Sequence, residues 1–145
     1  MRIRRRFSAA GRLPDGLRAR LEAESVLVAE EQLSAWLRLR GFRGPGIRVG
    51  SSLENVWVSL VVTRVRLLVW VGGADSFPQR FIDVPHGHEL SSAIEVWLEP
   101  PDRLRFTTVL TGSYSGHADL GVRTAQAARL SGLLSEYGWH VSTRS

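Results

Sequence analysis

The side chains of this chain best suited to chemistry are two groups of histidine and acid. His86 and His88 follow a proline and precede Glu89, and His117 lies two residues before Asp119. On an extended segment His86 and His88 would project to the same side, as two zinc ligands do. A metal site also needs a third ligand and a framework that fixes the distances, and both groups fall in predicted loops. We therefore interpret these residues as solvated and predict no metal and no cofactor.

Other catalytic patterns are missing from the sequence. Its serines do not stand in a Gly-x-Ser-x-Gly context, which would mark a nucleophile on a sharp turn. The glycine-rich segment 41–50 lacks the Gly-Lys-Ser/Thr of a phosphate-binding loop and contains Pro45. The sequence predicts that the protein is not an enzyme and has no evident small-molecule substrate.

Positive charge is concentrated at the start of the chain. All 19 basic residues are arginine. Residues 1–20 contain seven arginines and one acid, a net charge of +6, whereas residues 21–145 contain 12 arginines and 13 acids, a net charge of −1. A basic N-terminal segment is therefore expected to precede a nearly neutral body.

The same sequence favours a cytoplasmic location. There is no cysteine, which excludes disulfides and fits a reducing compartment. No apolar stretch of 7 to 15 residues follows the first arginines, so we expect no export signal. The most apolar segment, 56–71, includes Arg64 and Arg66 and is shorter than the ~20 residues that a spanning helix needs. Peripheral contact with the inner face of a membrane remains the alternative.

Arginines also define a possible anion-binding set. They could contact phosphates of an anionic lipid surface or of nucleic acid, although a solvated tail is the simpler interpretation, and we do not expect nucleic acid to be the ligand. The set comprises the N-terminal Arg4, Arg5 and Arg6, and Arg38, Arg40, Arg43 and Arg48 in or near the predicted 41–50 loop.

Tryptophan placement is the most unusual feature. Trp57, Trp70 and Trp97 alternate with the apolar residues of their predicted strands, so they should point away from the core. Three outward indoles need cover. A predicted N-terminal helix with Leu13, Leu17 and Leu21 on one face could supply it, and so could a protein partner or a second copy of the chain.

The centre of the chain has the period of two that is typical of strands. Hairpins are predicted over 56–71 and, around the Pro100–Arg103 turn, over 94–110; shorter runs at 26–29, 33–39 and 81–85 also fit strands. Segment 41–50, which contains four glycines and Pro45, predicts a loop. The last element changes period, with Ala127, Leu130 and Leu134 on one face of a helix expected over 125–137 and Thr124 as its N-cap.

The segments Leu60–Val69, Ile82–Pro85, Arg103–Phe106 and Thr124–Leu130 resemble, in this order, bacterial pleckstrin-homology-like (PH-like) domains. The resemblance covers residues 25–138. It implies a mainly β fold, a bent seven-stranded antiparallel barrel capped by a C-terminal helix, which elsewhere binds lipids, peptides or proteins and is seldom catalytic. Residues 1–24 are then a basic leader with an amphipathic helix, and 139–145 a tail.

Two functions follow as hypotheses. The first is a non-catalytic binding or assembly module that acts through protein contact, with Trp57, Trp70 and Trp97 as anchors. The alternative is a peripheral binder of anionic lipid headgroups or nucleic acid that uses the arginines named above. The two differ in salt response, because apolar contact persists at high ionic strength and charge-driven binding weakens.

Overall fold

The computed structural model describes residues 13–73, 80–110 and 113–144. Arg4, Arg5 and Arg6 lie outside these ranges. The described chain is mainly β, as predicted, with two α-helices. Neither helix has the length and apolar content needed to cross a membrane. In chain order the elements are α1 (Asp15–Glu22), β1 (Val26–Gly44), β2 (Ile47–Thr63), β3 (Arg66–Gly72), β4 (Arg80–Pro85), a 3-10 helix (Glu89–Ala93), β5 (Ile94–Glu99), β6 (Arg103–Leu110), β7 (Ser115–Arg123), α2 (Ala127–Glu136) and β8 (Val141–Thr143).

The described strands form one sheet in the order β4-β3-β2-β1-β7-β6-β5-β8, curled into a half-barrel. This differs from the expected bent, seven-stranded, antiparallel barrel in three ways. The described sheet has eight strands, it has two edge strands, β4 and β8, and β8 pairs in parallel with β5. Strand β8 lies in the segment predicted to be a tail, where a three-residue strand leaves too short a pattern to detect.

Strand β7 has no counterpart among the predicted strands. It contains Gly116, Asp119 and Gly121, residue types that are rare in strands. Its inward residues nevertheless alternate, and Ala118, Leu120 and Val122 are all buried. Pairing with β1 on one side and β6 on the other stabilises β7 despite its weak local preference.

Strand β1 is longer than the sequence suggested. The runs 26–29 and 33–39 are one strand, interrupted by a register shift between Glu30 and Leu33 where Gln32 has φ +58°. The extra residue changes which side the following residues face. It brings Leu37 and Leu39 into the core and turns Trp36 outward.

The predicted loop over residues 41–50 is wrong. Strand β1 continues to Gly44, β2 begins at Ile47, and only Pro45 and Gly46 form the turn. Glycine lowers strand preference, but continuous pairing from Gly44–Ile47 onward satisfies the backbone hydrogen bonds of both strands.

The main core lies on the inner side of the curled sheet. There α2 contributes Ala127, Leu130 and Leu134, each at most 1% exposed, against Phe106 and Leu120 of the sheet. The predicted helix over 125–137 is confirmed in position and in its buried face, although it begins at Ala127. Thr124 accepts a hydrogen bond from the Gln126 backbone in the turn that precedes the helix.

Helix α1 covers the outer side of β2 and β3. Leu13, Leu17 and Leu21 are buried there in a second, separate cluster with Val61 and Leu68, and Trp70 packs against its edge. Charged groups stabilise the same contact, because Arg66 of β3 pairs at 2.8 Å with Glu24, which follows α1. Arg66 also pairs with Asp83 of β4, at 2.8 Å. The expected leucine stripe is therefore the surface by which the helix docks on the sheet.

A polar contact joins the end of β4 to the chain that follows α2. His86 stacks on Tyr137 with ring centroids 4.2 Å apart, and Trp139, 4% exposed, donates its indole N–H to His86 Nδ1 at 2.9 Å. His86 Nε2 lies 2.8 Å from the carbonyl oxygen of Thr63 and donates to it, because Nδ1 is the acceptor. His86 thus links the open side of the half-barrel to the segment after α2.

We predict that Trp139→Phe lowers the free energy of unfolding by about 1 to 3 kcal/mol, because it leaves His86 Nδ1 without its donor. Urea unfolding followed by circular dichroism measures the change. Trp57→Phe is the matched control, since Trp57 is 38% exposed and its change should stay within about 0.5 kcal/mol. Equal losses in the two variants would contradict the proposed role of the indole hydrogen bond.

Candidate partner-binding face

The solvent side of strands β1, β2, β5, β6 and β7 forms a continuous surface that α1 does not cover, and we call it the outer face. Its residues alternate with those of the core along each strand. They include Ser34, Trp36, Arg38 and Arg40 of β1, Asn55 and Trp57 of β2, Glu95, Trp97 and Glu99 of β5, Arg103, Arg105 and Thr107 of β6, and Asp119, Gly121 and Arg123 of β7.

A charged pair lies at the centre of the outer face. Arg105 donates from Nε and Nη2 to the two carboxylate oxygens of Asp119, at 3.2 and 3.0 Å. The Thr107 hydroxyl donates to the same carboxylate at 2.6 Å. The Asp119 side chain is only 8% exposed and that of Arg105 23%. Two parallel bonds of this kind fix both side chains in one geometry.

These contacts change the ionisation of both partners. Burial by itself would raise the pKa of Asp119, but the hydrogen bonds from Arg105 and Thr107 and the charges of Arg105 and Arg40 outweigh it, so this pKa lies below its usual value. The hydrogen bond to Asp119 raises the pKa of Arg105. The pair therefore stays charged at neutral pH and serves as a fixed scaffold.

A row of large side chains crosses the sheet beside this pair. In register, Trp36 of β1 lies opposite Gly121 of β7, Gly121 opposite Arg105, and Arg105 opposite Trp97 of β5. The indole of Trp36 lies directly over Gly121, since a Cβ there would overlap Cε2, Nε1 and Cζ2 of the ring. The Arg105 guanidinium is 6.0 Å from the centroid of Trp36. Because residue 121 is glycine, the Trp36 ring can pack directly on the backbone of β7.

The predicted tryptophan anchors have different environments. Trp57 and Trp97 lie on the outer face, Trp57 exposed and Trp97 half-buried beneath Arg144 at 5.8 Å. Trp70 is half-buried beside α1, with Arg80 5.9 Å from its ring. Trp70 is therefore covered in part by α1 of the same chain, and it does not lie on the outer face with Trp57 and Trp97.

Trp36 was missed as a candidate although the same signal marks it. It stands between Ala35 and Leu37, out of phase with the apolar residues of its strand. Gly121 carries no sequence signal of its own, because only the register between β1 and β7 brings it under the ring.

The predicted arginine set is divided between two places. Arg38 and Arg40 lie on the outer face, with Arg40 3.9 Å from Asp119. Arg43 and Arg48 lie opposite each other near the end of the β1–β2 hairpin. The structure therefore brings half of the described arginines of this set to the same surface as Trp57 and Trp97.

The histidines do not converge. His86 is held by Thr63 and Trp139, His88 Nδ1 accepts from the Leu90 backbone at 3.0 Å, and His117 lies on β7. Within the parts of the chain that the structure describes, no three His, Asp or Glu side chains are grouped so that they could hold a metal ion.

No protein-family model, no curated protein and no solved structure matches this chain.

We predict that Asp119→Asn is destabilising at neutral pH by about 1 to 3 kcal/mol, because Arg105 loses a buried charged partner. A carboxylate whose folded pKa is depressed stabilises the fold above its unfolded pKa, and this stabilisation is lost as pH falls through the folded pKa. The free energy of unfolding of the wild type should thus fall more steeply than that of the variant between about pH 5 and pH 2. Urea titrations at successive pH values measure both curves.

Asp102→Asn is the control for the pH series. Asp102 is 45% exposed and 3.7 Å from Arg123, so its substitution should change stability by less than about 1 kcal/mol. Parallel pH curves for the wild type and Asp119→Asn would refute the stabilising role of the Asp119 carboxylate.

We also predict that Gly121→Ala displaces the Trp36 indole and costs about 1 to 3 kcal/mol through overpacking. The wavelength of tryptophan emission and the urea midpoint report the two effects. Gly132→Ala in α2 is the matched control, because a Cβ there meets nothing within 4 Å. That variant should be as stable as the wild type or more so. If Gly121→Ala changes neither the emission wavelength nor the urea midpoint, the Trp36 ring does not pack on residue 121.

Proposed function

We propose that this protein is a non-catalytic binding module that docks a partner protein on its outer face, with Trp57 and Trp97 as anchors. The observation that carries the proposal is that these two indoles and the arginines of β1, β6 and β7 share one surface while α1 covers the neighbouring surface beside Trp70. Tryptophan and arginine are the residue types most enriched among the energetically dominant contacts of protein interfaces.

The outer face combines fixed and free groups in the way that binding surfaces require. Arg105 and Asp119 bond each other, so their side chains are ordered before a ligand binds and add little entropic cost. Arg105 lies opposite Trp97 in register and 6.0 Å from the centroid of the Trp36 ring. The exposed side chains of Arg38, Arg40 and Arg123 remain at the surface to contact a partner. A pre-organised centre with adaptable charged groups around it favours protein contact.

Charge argues for a partner segment that carries acids. Arginines outnumber acids on the outer face, but Asp119 and the nearby Glu95 and Glu99 are interleaved among them. A nucleic acid strand would bring its phosphates past these carboxylates, at an electrostatic cost. An acidic protein segment can place single carboxylates beside single arginines, and so avoids that repulsion.

We further propose that the fold is PH-like. The curled sheet with a C-terminal helix packed on its inner side supports this assignment. The location proposed with it is cytoplasmic.

The test begins with peptides selected on the wild-type protein from a phage-displayed random library. We predict that they contain aspartate or glutamate and that Trp57→Ser combined with Trp97→Ser weakens their binding by about tenfold or more, a loss of at least about 1.4 kcal/mol. Fluorescence polarisation of labelled synthetic peptides measures the affinity. Because apolar contact contributes, binding should persist at high salt, though reduced.

Val65→Ser combined with Leu90→Ser is the matched control. It removes two apolar side chains that are 43% and 56% exposed but lie outside the outer face, and it should bind like the wild type. Equal losses in both double variants, or selected peptides without acids, would overturn the proposal. Preferential binding of anionic vesicles or of an oligothymidylate, abolished by the Trp57 and Trp97 substitutions, would assign the outer face to a different ligand class.

A further inference from the structure

A cleft of about 190 Å³ opens on the outer face beside the Trp36 ring. Trp36, Gly121, Asn55, Arg103 and Arg123 are among the residues that line it. The cleft therefore combines an apolar aromatic surface with two guanidinium groups and a primary amide. This is the chemistry of a site that takes a small anion attached to an apolar stem.

The two arginines of the cleft lie directly opposite each other on β6 and β7. Like charges at opposed positions of an antiparallel pair are destabilising. The Arg123 side chain is 65% exposed, and among the described residues its ion-pair partner is Asp102, whose carboxylate lies 3.7 Å from Nε. Glu99 lies opposite Arg103 in register, but its carboxylate contacts Arg105 and Arg144 instead, at 3.9 and 4.0 Å. Within residues 13–73, 80–110 and 113–144, Arg103 has no ion-pair partner.

We propose that this cleft receives one carboxylate side chain of an acidic partner segment. Arg103 and Arg123 hold the two carboxylate oxygens, the methylene groups of the aspartate or glutamate lie on the Trp36 ring, and Asn55 donates its amide N–H. The anion relieves the repulsion between the two arginines. This inference rests on the proposed function and names the chemical group that the outer face recognises.

The charge of the cleft selects a carboxylate over a phosphate. The lining of the cleft carries the two guanidinium groups of Arg103 and Arg123, while Asp102 lies beside Arg123 and Glu99 lies opposite Arg103 in register. A carboxylate brings one negative charge near these two acids. A phosphate monoester carries about −1.5 to −2 charges at neutral pH, so Asp102 and Glu99 repel it more strongly.

The direct test is an NMR titration of the full chain with N-acetyl-glutamate amide as the probe. The resonances to follow are the Trp36 indole N–H and the Nε–H groups of Arg103 and Arg123. We expect saturable shifts at these three positions. The neutral analogue N-acetyl-glutamine amide should leave them unchanged, and inorganic phosphate should bind about tenfold more weakly or not at all.

Two double variants distinguish binding in the cleft from binding that depends only on the overall positive charge of the protein. Arg103→Gln combined with Arg123→Gln should lower the affinity for the probe, and for the selected acidic peptides, by about tenfold or more. Arg43→Gln combined with Arg48→Gln is the matched control, because it also removes two opposed arginines, but ones that do not line the cleft. That control should bind the probe and the peptides like the wild type. Backbone amide spectra confirm that each variant is folded.

The outcomes distinguish the two proposals. If the acidic peptides still depend on Trp57 and Trp97 but bind the Arg103 and Arg123 variant normally, the cleft is not the carboxylate site and the binding function stands. If no acidic peptide binds the outer face and the probe shifts no cleft resonance, both proposals fail. Stronger binding of phosphate or of an oligothymidylate than of the carboxylate probe would overturn the ligand assignment.

Discussion

The structure depends on the alternation of side chains along its strands, because each strand of the curled sheet can give only one side to the core. On the inner side α2 completes that core. On the other side α1 covers β2 and β3, and this uses the leucine stripe and Trp70. In the described part of the chain, the eight-residue helix packs on β2 and β3 and leaves the outer side of β5, β6 and β7 without its cover.

Within the outer face, the Arg105–Asp119 pair determines how the other groups are arranged. Its hydrogen bonds fix a guanidinium between two tryptophans, and Gly121 allows the Trp36 ring to lie against the sheet. A buried pair of this kind adds little net stability compared with apolar residues, but it specifies one arrangement of the charged groups around it. The outer face therefore owes its arrangement of aromatic and cationic groups to this polar contact.

Much of the local structure was predictable. The leucine stripe of α1, the buried face of α2 and the hairpins over 56–71 and 94–110 follow from periodicity, since apolar residues at a period of 3.6 or 2 can be buried in only one way. The strands that contain glycine could not be predicted in the same way. The 41–50 loop prediction failed and β7 was overlooked, because glycine and aspartate lower strand preference locally, whereas pairing with neighbouring strands outweighs that preference in the folded chain.

The sequence by itself determined the outward direction of Trp57, Trp70 and Trp97, because alternation along a single strand requires only that strand's residues. It also determined the concentration of arginine and the absence of cysteine. The tertiary structure decided which indoles share a surface, since the docking of α1 beside Trp70 separates it from Trp57 and Trp97. It also decided that Trp36, Gly121, Arg103 and Arg123 meet at one cleft. They come from β1 and from the consecutive strands β6 and β7, which are distant from β1 in sequence, and the register between β1 and β7, which no local pattern encodes, brings them together.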